Sequence, residues 1–360
     1  MNKFAPTLKR YIQDNYTDYK ADLFSVFMHR NFDFCKPNGY SAFMTPFVWM
    51  FIKSYEKLRQ EIIQTKCIST LIQLEYSAFE EATVPICTFV LRNSALNYKG
   101  NYLRLSDFKG GMDVQNEMVL KAQEDPACKY RYTAQQDNFS KIPGAPVAYW
   151  VSEKLIDNFE KGISIDDISD FTGSQHITAD NDKYLRFIWE VEQEKVGKGK
   201  NWAQYAKGGE YRKWYGNITL CVCTSQKAML FYKTNLTSNC LDAKYWFTDG
   251  ITYSAVTSKG TGFRYYPPVG AFDKGGATIC YVQHLEYVLA LLNSKVVQYF
   301  FDFLNPTINL QVKDIKAIPI ILSSEQDKAI TEIAKEELEI SQDDWNLLEI
   351  SWDFKKHPLI

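Results

Sequence analysis

The sequence predicts an α/β fold in its first third, one flank of a doubly wound sheet, followed by an α+β unit. Three observations carry that expectation. Segments with helical periodicity alternate with short β-branched or apolar runs up to about residue 105. The rhythm stops over 106–149, around Gly110-Gly111 and the cluster Ile142-Pro143-Gly144-Ala145-Pro146. From Tyr149 to about Leu322 the texture changes to short strands, paired glycines and aromatics. A length of 360 residues accommodates two domains of ordinary size. The expected division is a first domain over 1–105, a linker region over 106–149, a second domain over 150–322 and the start of a helical spacer over 323–360.

The elements follow in order. Ala21–Phe34 places Leu23, Phe24, Phe27 and Met28 at helical spacing, and Lys36-Pro37-Asn38-Gly39 stops that helix. Tyr40–Met44 reads as a buried strand closed by Thr45-Pro46. Phe47–Ile63 has helical periodicity and the good helix formers Glu56, Lys57, Leu58, Arg59 and Glu61. Ile68–Leu74 and Val84–Leu91 are strand-like, and Tyr102–Leu105 is a further candidate to pair with them. About four strands result, fewer than a complete open sheet of this kind holds, so the sheet is expected to be partial. A helix is expected near 113–124. In the second half, Gly208-Gly209, Gly260-Thr261-Gly262 and Gly275-Gly276 each sit beside a lysine. A helix over Leu285–Phe303, a strand ending Ile318-Pro319-Ile320 and a charged helix from Ser324 to about Ile340 close the chain.

Composition narrows the function classes. Hydrophobic residues make up 46% and charged residues 23%, and there is no apolar run of membrane-spanning length and no secretory leader, so a cytoplasmic protein is expected. Eight scattered cysteines with no Cys-x-x-Cys, and four histidines at no ligand spacing from them, argue for reduced thiols and no metal. The net charge of −2 hides an uneven distribution. Lys195, Lys198, Lys200, Lys207, Arg212 and Lys213 face one acid, Glu210, between Lys195 and Tyr215, whereas the stretch from Ser323 onward has ten acids and four bases. The acidic helix reads as a solvated spacer, with Trp345 and Trp352 expected to be exposed. Catalytic signatures are missing: there is no Gly-x-Ser-x-Gly, no His-Glu-x-x-His and no Gly-x-x-x-x-Gly-Lys. Glu80-Glu81 and Asp166-Asp167 read as solvated pairs rather than acid–base machinery.

Several segments carry a resemblance. Asp22-Leu23-Phe24-Ser25-Val26-Phe27, Cys35-Lys36-Pro37-Asn38-Gly39-Tyr40 and Met44-Thr45-Pro46 resemble the middle of a class I, Rossmann-like methyltransferase sheet, as found in adenine-specific DNA methyltransferases. Tyr76-Ser77-Ala78-Phe79, followed by Ile86–Leu91, is similar to the segment that holds an aromatic over the target base. Gly173–Arg186 resembles the opening of a DNA target-recognition domain, and Tyr205–Asn217 (YAKGGEYRKWYGN), Gly260–Pro267 and Asn305–Ile320 resemble its later signatures. Together they resemble the adenine-specific methyltransferases of BREX-type phage defence and type IIG restriction–modification. Two substitutions depart from the pattern. Asn38 stands where glycine is usual and tolerates a positive φ, whereas Ala179 in a glycine position would be strained there.

The resemblance implies methyl transfer from S-adenosylmethionine to adenine in double-stranded DNA. It implies Phe79 as the base-stacking residue and Asp22, Leu23 and Phe24 as the edge of the cofactor pocket. It also implies DNA contacts by Gln175, Thr178, Asn181, Lys183, Lys207, Arg212, Lys213 and Arg264. Two adjacent bases beside Gly208-Gly209 suit phosphate, and Arg264 between Phe263 and Tyr265 can read a guanine edge, contact phosphate or pack on its neighbours. The family's glycine-rich cofactor turn and its Asn/Asp-Pro-Pro-Tyr/Phe loop are not found; Tyr266-Pro267-Pro268-Val269 has only the prolines. No catalytic residue is retained and no cofactor is expected to bind this chain alone; because methyl transfer needs both reactants fixed, the chain is expected to be inactive alone, as a fragment of a split enzyme needing an N-terminal polypeptide or other defence-system subunits. A free DNA-binding module or decoy, and a truncated product without function of its own, stay open as alternatives. No membrane partner is expected.

Overall fold

A mixed five-stranded sheet organises the first of the two units, Met1–Glu160 and Lys161–Ile360, into which the computed structural model divides. The structure describes residues 4–76, 84–172, 175–255, 260–273, 275–305, 310–357 and 359. Helices α1 (Pro6–Asn15) and α2 (Leu23–Phe34) lead into strand β1 (Tyr40–Pro46). Then come α3 (Glu56–Thr65), β2 (Cys67–Gln73), β3 (Ile86–Arg92), β4 (Lys99–Arg104), α4 (Gly111–Glu124), β5 (Arg131–Gln135) and α5 (Glu153–Lys161). The strand order is β1-β3-β2-β4-β5.

Alternation fixes which face is buried. In β3, Cys87, Phe89 and Leu91 point into the core while their neighbours are half-buried. That core is completed by Met28 and Phe32 of α2, Leu58, Ile62 and Ile63 of α3, Trp49 and Met50 between β1 and α3, and Tyr102 of β4.

Three expectations need correction. The sheet is not a parallel flank: only β2–β4 is parallel, while β3 runs antiparallel to both β1 and β2. The reason is local, since β2 and β3 are direct antiparallel neighbours and the pairing continues past them with Leu74 N–H on Ile86 O at 3.0 Å. The helix expected from Phe47 starts only at Glu56; before it the chain makes two 3₁₀ turns, Phe47–Met50 and Lys53–Tyr55. The buried Arg59 guanidinium captures the carbonyls of Trp49 (2.7 Å) and Ile52 (2.8 Å), which a continuous helix would have used internally. Residues 106–149, expected to link two domains, instead carry α4 and β5, and β5 pairs antiparallel with β4. Gln136 stitches this stretch to the sheet by donating to Ile63 O and Lys66 O and accepting from Ile68 N. Arg59 does the same through Gly144 O and Ala145 O.

The second unit begins with β6 (Ile163–Ser164), β7 (Asp170–Phe171), α6 (Asn181–Tyr184), β8 (Leu185–Phe187), β9 (Trp202–Ala206), β10 (Leu220–Cys223) and α7 (Gln226–Thr234). It continues through β11 (Gly250–Tyr253), β12 (Phe263–Tyr266), β13 (Gly270–Phe272), β14 (Thr278–Cys280), α8 (Leu285–Asn293), α9 (Lys295–Leu304), α10 (Val312–Lys316), β15 (Pro319–Ile320) and α11 (Ser324–Asn346). Two four-stranded sheets result, β13-β9-β10-β8 and β12-β11-β14-β7, with a separate β15–β6 pair. Gly270 is required where β13 runs parallel to β9, because a Cβ there would stand 1.9 Å from Gln204 O. The helix expected over Leu285–Phe303 breaks at Ser294, whose backbone is extended and whose Oγ accepts from Val297 N–H at 3.3 Å, starting a new helix. Helix α11 packs against α8 and is part of this unit, and Trp345 near its end is buried, not exposed. No described helix is long and apolar enough to cross a membrane.

Candidate functional site

In the first unit, the residues implied to edge a cofactor pocket stand at the start of α2. Asp22 is exposed and extended at the N-cap, and its carboxylate makes no bond to its own helix. Its carbonyl accepts from Ser25 Oγ at 2.6 Å, which fixes the turn. Leu23 and Phe24 are half-buried, and the Phe24 ring lies 5.2 Å from Tyr55 within the unit's core. An exposed acceptor beside two half-buried apolar side chains suits one wall of a site for an adenosyl group. Phe79 lies outside the described residues.

Beside that stretch, Glu75 is a residue that sequence reasoning missed. It is buried at the end of β2, and its carboxylate accepts from Gly110 N–H (3.2 Å) and Gly111 N–H (2.5 Å) at the start of α4. The partners are 35 and 36 positions apart in sequence, so only the Gly-Gly pair gave any signal. In the turn after α2, Asn38 has φ 62°, the left-handed conformation expected of it.

In the second unit, the candidates divide into two groups. Gln175 and Thr178 lie in the loop leading into α6, and Asn181 and Lys183 lie on α6 itself. The Gln175 carbonyl accepts from the Asn239 amide, and Thr178 is buried with its hydroxyl donating to Asn181 Oδ1 at 2.6 Å. Asn181 and Lys183 are exposed, and the Lys183 ammonium lies 5.2 Å above the Tyr184 ring. Ala179 does adopt φ 60°, so the loop keeps the strained conformation that glycine would take freely.

The other group surrounds the loop 207–217. Lys207 is half-buried, 4.0 Å from Asp273. Burial raises the Asp273 carboxyl, while the amides of Gly275 (2.6 Å) and Gly276 (3.1 Å) that donate to it oppose that effect. Arg212 is committed inside the unit: Nη2 donates to Asp344 Oδ2 at 2.5 Å, Nε donates to Tyr215 O at 2.8 Å, and the guanidinium sits 5.1 Å from the Trp345 ring. Lys213 Nζ donates to Asn293 O at the end of α8, at 2.7 Å.

Arg264 departs most from a base-reading residue. It is 1% exposed, and its fork donates to Arg212 O, Gly262 O and Ser254 Oγ at 3.2, 3.4 and 3.3 Å. Burial first, and then the like charge of Arg212, lower its pKa to about 10. Of the readings open to it in sequence, packing on its neighbours is the one the structure shows.

Comparison with known proteins agrees with the motifs. Residues 1–79 match the model of the Eco57I restriction-modification methylase family. The adenine-specific methyltransferase PglX of Lacticaseibacillus casei (strain Zhang) is 31% identical over 381 residues, covering 99% of this chain and 31% of PglX. The adenine-specific methyltransferase BrxX of Escherichia coli O9:H4 (strain HS) is 32% identical over 369 residues, covering 98% of this chain and 29% of BrxX. In fold, the chain is similar to the type IIL restriction-modification enzyme MmeI, solved in complex with DNA. The TM-score is 0.55 at 11% identity, over 95% of this chain and 48% of that one. The chain spans about a third of the length of these curated relatives and is similar over nearly all of its own length to the adenine-specific methyltransferases PglX and BrxX.

Proposed function

We propose that this chain serves site-specific methyl transfer from S-adenosylmethionine to the exocyclic amine of adenine in double-stranded DNA. Its first unit contributes an edge of the cofactor and base pocket, and its second unit reads the duplex. The observation that carries this reading is similarity along 98–99% of the chain to two adenine-specific methyltransferases. The fold likeness to an enzyme solved with DNA supports the duplex as substrate. When bound, the cofactor supplies a methyl group on a positively charged sulfur. Asp22 offers it an acceptor, and Leu23 and Phe24 an apolar wall. In the second unit, Asn181, Lys183 and Lys207 serve as contacts to the DNA backbone; Lys183 is exposed above the Tyr184 ring.

The same reading places the remaining wall of the pocket outside these 360 residues, which alone transfer no methyl group. Strand β1 offers an edge to that wall: among the described residues it pairs with β3 alone, and Tyr40 and Met44 on it are 64% and 57% exposed. The test is incorporation of labelled methyl groups into mixed-sequence duplex DNA. The chain is assayed alone and with a polypeptide carrying a glycine-rich first strand and an Asn-Pro-Pro-Tyr loop. Label is expected only in the mixture, incorporation by the chain alone overturns the need for a partner, and absence of duplex binding overturns the DNA-reading role.

A further inference from the structure

We propose that Tyr211 is the residue of the 207–217 loop that stacks on DNA, while Arg212, Lys213 and Arg264 hold the loop in shape. The inference rests on the duplex-reading function proposed above and adds the specific contact.

The loop is braced from three sides. Beneath it, Arg264 donates to Arg212 O, and Ser254, itself bonded to Arg264, donates to Gly209 O at 3.2 Å. Beside it, α11 supplies Asp344 and Trp345 to Arg212, and a Cβ on Gly216 would stand 2.8 Å from the Trp345 ring. At its far side, Lys213 is tied to Asn293 O. The entry to the loop is equally tight, since a Cβ on Gly208 would stand 2.5 Å from Gly275 O. Trp214 is locked by exchange with β12, its N–H on Phe263 O (2.8 Å) and its carbonyl taking Tyr265 N–H (2.7 Å).

Against this fixed frame, Tyr211 is 44% exposed, between Glu210 and the pinned Arg212. A single exposed aromatic is ordinary. What separates Tyr211 is that five neighbours spend their polar groups holding the backbone that presents it. A flat side chain with few rotamers, on a backbone ordered before binding, loses little freedom on contact. Its ring packs on a base or sugar whatever the sequence, and Lys207 at the loop entry adds the charge that draws in the phosphates.

The test uses the full chain and fluorescein-labelled duplexes of about 30 base pairs with random centres, titrated by anisotropy at two salt concentrations. Tyr211→Ala is expected to weaken binding about tenfold, within the range that base–aromatic stacking supplies. The melting temperature and the slope of log affinity against log salt stay as in the parent. Tyr211→Phe is expected to bind within about twofold of the parent, because the ring and not the hydroxyl makes the contact. Lys207→Ala, by contrast, reduces the salt slope by about one. Parent-like binding by Tyr211→Ala alongside a changed slope in Lys207→Ala overturns this inference and leaves the duplex-reading function standing. An equal loss in Tyr211→Phe overturns the stacking role. Failure of the parent chain to bind the duplexes overturns both.

Discussion

Replacing Arg264 by methionine separates a structural guanidinium from a DNA-reading one. The charged form already carries a cost where it sits: lowering of its pKa from 12.5 to about 10 corresponds to roughly 3 kcal/mol. Against that stand three long hydrogen bonds of 3.2–3.4 Å, at about 1 kcal/mol each. The charge therefore nearly breaks even, as buried ions commonly do. Methionine removes both terms and fills much of the volume, but strands the carbonyls of Arg212 and Gly262 and the Ser254 hydroxyl without the donor they had. At roughly 1 kcal/mol for each well-buried acceptor, with partial relaxation, the net loss is about 2 kcal/mol. For a unit of about 200 residues that lowers the melting temperature by roughly 4–8 °C. Scanning calorimetry measures this directly, and anisotropy titrations of the same protein give the salt slope of duplex binding. The expected result is a lower melting temperature, weaker binding because the loop loosens, and an unchanged salt slope. An unchanged melting temperature with a slope reduced by about one would mean that the guanidinium leaves its pocket to meet phosphate, and the reasoning would fail.

Two further outcomes follow from the second unit. His176 is fully buried among Tyr205, Tyr232 and Trp246, and burial lowers its pKa from 6.5 to about 4. The unfolded chain takes up this proton below pH 6.5 and the folded one only near 4, so stability falls as pH drops through that window, by roughly 3 kcal/mol in all. His176→Phe should flatten the difference in urea midpoint between pH 7 and pH 5, and a slope equal to the parent's would show that the imidazole titrates normally in the fold. Ala179→Gly relieves a left-handed residue at φ 60° and should raise stability by about 0.5–1 kcal/mol after glycine's own entropic cost; a lower urea midpoint would contradict that strain.

Local chemistry was legible in the sequence, and long-range capture was not. Strand β3 declared itself as a β-branched and apolar run, and Asn38 declared its backbone because few residues other than glycine tolerate that φ. The break at Ser294 was also written locally, in a serine able to cap, yet the apolar period running through it hid the signal. The late start of α3 was not written locally at all. It depends on Arg59 reaching back to two carbonyls, and an arginine with good helix formers around it looks like one more helix residue. Glu75, which meets Gly110 and Gly111, and Gln136, which meets Ile63, Lys66 and Ile68, escape for the same reason.

The 207–217 loop shows where this difference changes a functional assignment. Counting charge along the sequence gathers Lys207, Arg212 and Lys213 into one basic patch, which reads as an electrostatic footprint for phosphate. The fold pulls adjacent residues to different partners: Arg212 to the carboxylate of Asp344 and the ring of Trp345, Lys213 to the carbonyl that ends α8. Both kinds of partner occupy donors of these side chains inside the unit, where they hold the loop. Acidic α11, which reads as a solvated spacer, supplies the partners of Arg212. A base in a nucleic-acid-binding segment is therefore evidence for a phosphate contact only after its intramolecular acceptors have been subtracted. Here that subtraction leaves Lys207 as the loop's least committed charge and an exposed tyrosine as its tip.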